Sequence, residues 1–229
     1  MTRLLIHVEG ITEETFVNEV LSQYLCGIGY STVSARLVGN TRHRDHRGGI
    51  RSWESMTNDI VSHLKEDHRC IVTTMVDYYA LPEDWPNRPN ARNLRLCDQK
   101  ANLIEESMYK EICKKLKNNF NPNRFIPYIM MHEFEGMLFS DCEKFGRIIG
   151  YSQLISTLQD IRNQFPNPEE INDSPLTAPS KRIKKLIPEY EKPIYGNIAI
   201  LEIGLNKIRS ECPHFNEWLE KLRNAQAIS

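Results

Sequence analysis

The chain has 229 residues, of which 40% are hydrophobic and 26% are charged, and its formal net charge is −1. This length and apolar content suffice for one α/β domain with a buried core and, at most, an appended segment. A near-neutral chain has no global attraction to nucleic acid or to anionic membranes, so such binding must come from local patches. No apolar run reaches membrane-spanning length and no signal peptide is recognisable, so we expect a cytoplasmic protein without a membrane partner. The six cysteines are scattered without a CxxC pair, which disfavours structural zinc and fits a reduced compartment.

Strands and helices are predicted to alternate over the first 140 residues. Four strands are predicted, three from apolar runs at residues 3–8, 70–76 and 125–131, and the second along the chain from a weak alternation of polar and apolar residues at 32–38. Apolar residues at helical spacing predict helices at residues 15–25, 53–64 and 98–117. Beyond residue 141 the pattern is helical, with predicted helices at residues 145–165, 181–186, 199–208 and 215–222. We therefore predict a mainly parallel sheet flanked by helices, with an α/β core at residues 1–145 and a helical C-terminal extension at residues 146–229.

Carboxylates follow three of the predicted strands. Glu9 follows the first strand, Asp77 follows the third, and Glu133 and Glu135 follow the fourth. The carboxyl ends of parallel strands share one edge of a sheet, which is where ligands bind in open α/β folds. Carboxylates at such close quarters repel each other unless a cation lies among them, and oxygen ligands select Mg²⁺ or Mn²⁺. The alternative is that each acid caps the helix that follows it, a role that also suits Glu13 on a first helical turn.

Three segments of the sequence resemble the Toprim domain. They are Glu9-Gly10-Ile11-Thr12-Glu13, Val76-Asp77-Tyr78-Tyr79 and Met131-His132-Glu133-Phe134-Glu135. The version they resemble occurs in OLD-family nucleases and in small single-domain relatives that are often encoded beside an AAA or ABC-type ATPase. The resemblance covers about residues 3–190 and implies a Toprim-like α/β fold.

The resemblance also implies a metal site. The Toprim pattern has a glutamate after the first strand, which corresponds to Glu9, and an Asp-x-Asp after a later strand, whose first acid corresponds to Asp77. Tyr79 stands at the second aspartate position and offers no carboxylate. Glu133 or Glu135 can replace the missing charge, so the implied Mg²⁺ or Mn²⁺ ligands are Glu9, Asp77, Glu133 and Glu135. Glu13 is then an outer ligand, a ligand of a second metal or a general base.

A basic loop precedes the second predicted helix. Arg42, Arg44, Arg47 and Arg51 surround Gly48-Gly49, where the glycines allow close approach of a ligand to the backbone. Arginine binds phosphate with two parallel hydrogen bonds, so the loop is predicted to hold a nucleic-acid backbone. The alternative is a solvated, mobile loop.

A second basic segment is Pro179-Ser180-Lys181-Arg182, at the start of a predicted helix. A helix N-terminus with a basic side chain is suited to phosphate. Lys181 or Arg182 is therefore expected to bind a substrate phosphate together with the helix N-terminus. A similar segment recurs in the family that the chain resembles, which implies that Lys181 is a catalytic ligand of the transition state or of a phosphate. The alternative is a basic surface turn.

These observations predict a Mg²⁺-dependent nuclease that cuts phosphodiester bonds, with DNA favoured over RNA. The resemblance implies a role in phage defence or repair together with an ATPase partner, and an oligomer is compatible with it. One alternative is a non-catalytic subunit that binds nucleic acid or the ATPase, and Tyr79 favours it. A phosphatase-like hydrolase of nucleotides is a third reading, because the same metal site would accept small phosphates.

Overall fold

The computed structural model describes residues 1–38, 50–117, 120–172 and 176–228. The chain forms two compact units. The first unit contains Met1–Val76, Ala80–Ile129 and Trp218–Ser229, and the second contains Asp77–Tyr79 and Met130–Glu217. The predicted division into a core at residues 1–145 and an extension at residues 146–229 stays a prediction.

The strands form one sheet. They are β1 (Arg3–Val8), β2 (Thr32–Leu37), β3 (Cys70–Asp77), β4 (Phe125–Ile126) and β5 (Ile129–Met130). The order is β2-β1-β3-β4, with β5 also pairing with β3. The β1–β2, β1–β3 and β3–β4 pairs are all parallel, and Val8 of β1 is level with Leu37 of β2 and Met75 of β3. The predicted α/β fold with a mainly parallel sheet is confirmed.

Strand β3 is the buried centre of the sheet, and all eight of its residues are buried. Its two threonines have their hydroxyls satisfied by the surrounding core. Thr74 Oγ1 donates to the Tyr128 carbonyl at 2.8 Å, and Thr73 Oγ1 accepts from the Trp218 indole N–H at 2.9 Å. A fully buried strand therefore tolerates polar side chains here because each has a partner.

The helices of the first unit lie between the strands in sequence. They are α1 (Ile11–Phe16), α2 (Ser22–Gly27), α3 (Trp53–Glu66), α4 (Arg88–Ala91) and α5 (Cys97–Leu116). A π-helical turn, Val17–Leu21, joins α1 to α2. Trp53 of α3 and Trp85 are both buried, with ring centroids 5.1 Å apart, so they belong to the core of this unit.

Helices dominate the second unit and the C-terminal part of the chain. They are α6 (Cys142–Ile148), α7 (Ile155–Arg162), α8 (Pro179–Leu186), α9 (Asn197–Ile203), α10 (Leu205–Glu211) and α11 (Pro213–Ile228). Two predicted single helices are each divided in two. Gly150 and Gly204 have φ of +81° and +82°, a left-handed conformation that ends a helix and that glycine adopts without strain.

The predicted strand at residues 125–131 is also divided, into the two-residue strands β4 and β5. Pro127 and Tyr128 separate them. Proline has no N–H to donate to a ladder, which explains the interruption. Among the residues that the structure describes, no helix combines the length and apolar character needed to cross a membrane.

Candidate carboxylate–lysine site

Asp77 is the last residue of β3, and its side chain is buried with 7% exposure. Its Oδ1 atom accepts a hydrogen bond from the Phe134 backbone N–H at 3.1 Å. Its Oδ2 atom lies 3.3 Å from the Nζ atom of Lys192. The carboxylate thus accepts a hydrogen bond from the backbone and faces the Lys192 ammonium.

Glu135 lies on a buried 3₁₀ turn, Phe134–Ser140, that follows the extended Glu133. Gly136 permits this turn to pack tightly, because a Cβ atom there would lie 3.3 Å from the Pro168 carbonyl oxygen. The Glu135 side chain is 4% exposed, and its Oε2 atom lies 3.4 Å from Lys192 Nζ. The turn therefore directs a second buried carboxylate to the same ammonium group.

Lys192 begins a π-helical turn, Lys192–Gly196. Its ammonium lies between the carboxylates of Asp77 and Glu135 and 5.4 Å from the centroid of the Phe134 ring. Opposite charges at this distance attract each other, so the ammonium offsets part of the repulsion between the two carboxylates. The sequence analysis did not identify Lys192, since no motif or spacing links it to the acids.

Glu133 begins the same acidic segment but contacts a different element. Its Oε2 atom accepts a hydrogen bond from the Ser180 backbone N–H at 3.0 Å, in the first turn of α8. A carboxylate at this position satisfies an otherwise unpaired donor and interacts favourably with the helix dipole. Glu133 therefore has a capping function in the structure, whatever else it binds.

The basic residues at the start of α8 differ in their contacts. Lys181 is exposed to solvent. Arg182 donates from Nε to the Thr177 carbonyl at 2.7 Å, and its guanidinium carbon lies 5.2 Å from the centroid of the Phe165 ring. Arg182 thus also holds the loop before the helix.

Tyr79 stands where the Toprim resemblance places a second aspartate. Its backbone N–H donates to the His132 carbonyl at 3.3 Å, and the two rings stack with centroids 5.2 Å apart. His132 is itself buried. At this position a stacked aromatic pair stands in place of a metal-binding acid.

Tyr190 adds a buried polar group near the acids. The residue is 2% exposed, and its hydroxyl has no hydrogen-bond partner among the residues that the structure describes. Burial raises the pKa of Tyr190 far above its usual range, and the charge of nearby Glu135 raises it further. The hydroxyl therefore remains protonated and is available as a donor.

The remaining predicted site residues belong to the first unit. Glu9 follows β1 and is half-buried, and Glu13 of α1 is buried and accepts a hydrogen bond from the Gly10 N–H at 3.0 Å. Arg51 donates from Nε to the Val38 carbonyl at 2.8 Å and pairs with Asp59. Arg42, Arg44 and Arg47 lie outside the described residues.

Within residues 1–38, 50–117, 120–172 and 176–228, no three His, Cys, Asp or Glu side chains are arranged to hold a metal ion. The structure brings Asp77 and Glu135 together at one ammonium group and places Glu133 at the start of α8. Two carboxylates that already share a cation have the oxygen donors that Mg²⁺ and Mn²⁺ prefer, so the donor set fits. The inclusion of Glu9 and Glu13 in such a site stays a prediction.

Comparison with known proteins gives one family and one structural similarity. A solved structure with some similarity is the C-terminal region of the OLD protein of Xanthomonas campestris pv. campestris. It has a TM-score of 0.45 and 15% identity, over 100% of this chain and 97% of that one. No curated protein matches the sequence. The Toprim assignment stays a prediction. The model of a domain family described as a domain of unknown function, DUF4276, matches residues 8–223, and the chain therefore belongs to that family.

Proposed function

We propose that this protein is a metal-dependent nuclease in which Asp77 and Glu135 bind Mg²⁺ or Mn²⁺. The observation that supports the proposal is the convergence of these two buried carboxylates on a single cationic atom, Lys192 Nζ. Burying two carboxylates is costly, and proteins retain such pairs where a charged ligand or a reaction needs them.

The residues of the chain have separate tasks in this proposal. A bound divalent cation would lower the pKa of its water ligand and offset negative charge on a phosphodiester. Asp77 and Glu135 hold the cation, and the hydrogen bond from the Phe134 N–H fixes the orientation of Asp77. Glu133 keeps the start of α8 in place, which presents exposed Lys181 to solvent and to a substrate phosphate. Glu9 is proposed as a further ligand, and Glu13 as an outer ligand or a general base.

Nucleic acid is the proposed substrate, with DNA favoured over RNA, and its contacts are assigned to Arg42, Arg44 and Arg47. Arg182 is proposed to assist, although its Nε atom already binds the Thr177 carbonyl. An ATPase partner and a role in phage defence are carried over as proposals from the motif resemblance alone.

The proposal is tested by cleavage of duplex and single-stranded DNA at increasing Mn²⁺ concentration, with and without EDTA. Asp77→Asn and Glu135→Gln keep the size of each side chain and remove its charge, so both should abolish cleavage. Glu106→Gln is a matched control, because Glu106 is an exposed residue of α5 that pairs with Lys110 across one helical turn. Full cleavage by Asp77→Asn and Glu135→Gln would refute the assignment.

A second candidate is a non-catalytic subunit that binds nucleic acid or a partner protein. It is favoured by Lys192, whose ammonium already neutralises part of the acidic charge, and by Tyr79 at the second aspartate position. In this case DNA should bind equally well in Mn²⁺ and in EDTA, and no cleavage should occur at any metal concentration. A metal requirement for binding or any metal-dependent product would count against this candidate.

A further inference from the structure

Lys192 is more exposed than the two carboxylates it contacts. The Lys192 side chain is 27% exposed, whereas those of Asp77 and Glu135 are 7% and 4% exposed. The lysine is therefore the most solvent-accessible of these three side chains. Its four-carbon stem has several rotatable bonds, so the ammonium can leave without movement of the backbone.

The contacts of Lys192 are long for charged partners. The distances of 3.3 and 3.4 Å to Asp77 Oδ2 and Glu135 Oε2 exceed the roughly 2.7–2.9 Å of a close ammonium–carboxylate hydrogen bond. A magnesium ion approaches carboxylate oxygens to about 2.1 Å. The ammonium thus occupies a space between two acids that a smaller and more highly charged ion would fill more closely.

The charges of the site also favour replacement of the ammonium by a divalent cation. Two carboxylates and one ammonium sum to −1, whereas two carboxylates and a divalent cation are neutral. A monovalent metal ion brings no more charge than the ammonium already supplies. Every cation must displace the Lys192 ammonium before it can bind the two carboxylates. A divalent cation gains more from the two negative charges than a monovalent cation does, so Lys192 favours divalent over monovalent cations.

Tyr190 provides an independent observation that points to a ligand, because its buried hydroxyl lacks a partner in the described part of the chain. A Cβ atom at Gly196 would lie 3.1 Å from this hydroxyl and 3.8 Å from Cγ of Lys192, so the hydroxyl lies beside the lysine stem. A buried donor without a partner is costly unless a ligand or its bound water satisfies it. Only Glu191 stands between Tyr190 and Lys192 in the sequence.

We propose that Lys192 is a tethered counterion that a divalent metal ion displaces from Asp77 and Glu135. Lys192 thereby sets the metal affinity of the site and its preference for divalent over monovalent cations. This inference rests on the proposed metal site, and it adds a selectivity-determining residue to it.

The inference is tested on the full chain by Mn²⁺ titration, with free Mn²⁺ measured by electron paramagnetic resonance. Lys192→Met removes the competing charge and keeps most of the stem, so it should bind Mn²⁺ at least tenfold more tightly than the wild type. Lys184→Met is the matched control, because Lys184 is an exposed lysine of α8 in the same unit, and its Mn²⁺ affinity should be unchanged. Unchanged or weaker Mn²⁺ binding by folded Lys192→Met would overturn the inference and leave the metal site standing.

Thermal unfolding gives a second measurement that does not depend on activity. Without metal, Lys192→Met should melt below the wild type, and Mn²⁺ should restore it by a larger shift than it gives the wild type. Sodium should also stabilise Lys192→Met more than tetramethylammonium does at equal ionic strength, and it should not do so for the wild type. If Lys192 were only structural, the melting temperature would fall and no metal would restore it.

Two further outcomes separate this inference from the proposed function. If neither the wild type nor Lys192→Met binds Mn²⁺, the metal site itself is wrong and the inference fails with it. If Lys192→Met does not fold, Lys192→Gln removes the same charge with a polar head group and is held to the same expectation.

Discussion

The Nζ atom of Lys192 lies 3.3 Å from Oδ2 of Asp77, although 115 positions separate the two residues in the chain. Asp77 ends the central strand of the sheet, and Lys192 begins a π-helical turn in the C-terminal third. Because the other Asp77 oxygen binds a backbone N–H, this one side chain has a structural contact and an ionic contact at once. The two contacts can be separated by mutation.

We expect Asp77→Ala to destabilise the protein more than Asp77→Asn. Asparagine retains an oxygen that accepts from the Phe134 N–H, whereas alanine leaves that buried donor unpaired. An unpaired buried donor costs about 1–3 kcal/mol, so the free energies of unfolding of the two variants should differ by about this amount. Urea unfolding followed by tryptophan fluorescence measures the difference. Equal losses in both variants would show that the charge, and not the hydrogen bond, holds this end of β3.

Tyr190→Phe should raise the free energy of unfolding by about 1 kcal/mol in metal-free protein, because it removes a buried hydroxyl that has no partner in the described chain. Tyr30→Phe is the matched control. The Tyr30 hydroxyl is also buried, but it donates to the Leu222 carbonyl at 2.8 Å, so its removal should lower stability by about 1 kcal/mol. A loss of stability in Tyr190→Phe would mean that its hydroxyl has a partner after all.

The stability of the first unit should fall in mild acid because of His7. This residue of β1 is fully buried, and burial together with the neighbouring His63 lowers its pKa to about 3. In the unfolded chain its pKa is about 6.5, so the unfolded state takes up a proton first as the pH falls. The stabilisation is complete above pH 6.5 and is lost progressively towards pH 3, with about 2 kcal/mol lost by pH 5.

His7→Leu checks the origin of this dependence, since leucine has a similar volume and does not titrate. Urea unfolding at pH 7.5 and pH 5 should show that the variant loses about 2 kcal/mol less than the wild type. The other charged groups that act on His7 are Asp59, Arg36 and Arg51, and all remain in the variant. An identical loss in both proteins would assign the acid sensitivity to other groups.

Glu169 is expected to be a major stabilising residue of the second unit. Its buried carboxylate accepts hydrogen bonds from the His214 N–H at 2.9 Å and the Phe215 N–H at 2.8 Å, in the first turn of α11. Glu169→Gln places an amide NH₂ group against the N–H of His214 or Phe215, so one of these two hydrogen bonds is lost. The free energy of unfolding, measured in urea, should fall by about 1–3 kcal/mol. Glu143→Gln, which breaks an exposed pair with Arg147, should cost under about 0.5 kcal/mol. Similar costs for the two variants would contradict this capping role.

The strands and the acidic positions were accessible from the sequence because both depend on local patterns. Residues 3–8 and 70–76 are mainly apolar, and they form the two adjacent parallel strands β1 and β3. The carboxylates of Asp77 and Glu135 follow such strands and do meet, through Lys192. In a parallel sheet the carboxyl ends of the strands lie at one edge, so the residue that follows an apolar run can be assigned to that edge from the sequence alone.

Tertiary contacts account for what the sequence did not predict. Lys192 stands between Glu191 and Pro193 with no spacing that relates it to Asp77, and only the folded chain brings them together. Glu169 lies between the helices predicted at residues 145–165 and 181–186, and its capping role depends on α11, more than 40 positions away. The helix ends at Gly150 and Gly204 have a local signal, the glycine itself. A single glycine is also tolerated inside a helix, so the spacing of apolar residues predicted one continuous helix across each of them.

The arginines of the basic loop are predicted to contribute to nucleic-acid affinity. Arg44→Ala together with Arg47→Ala should weaken DNA binding and reduce the slope of log affinity against log salt by up to about 1.8, since each lost phosphate contact removes about 0.9. Lys114→Ala with Lys115→Ala is a charge-matched control on the exposed last turn of α5 and should leave the slope unchanged. Fluorescence anisotropy of a labelled duplex between 50 and 200 mM salt, in EDTA, measures binding without cleavage. If both double variants lower the slope equally, DNA responds to net charge alone, and the loop has no specific part in holding the phosphate backbone.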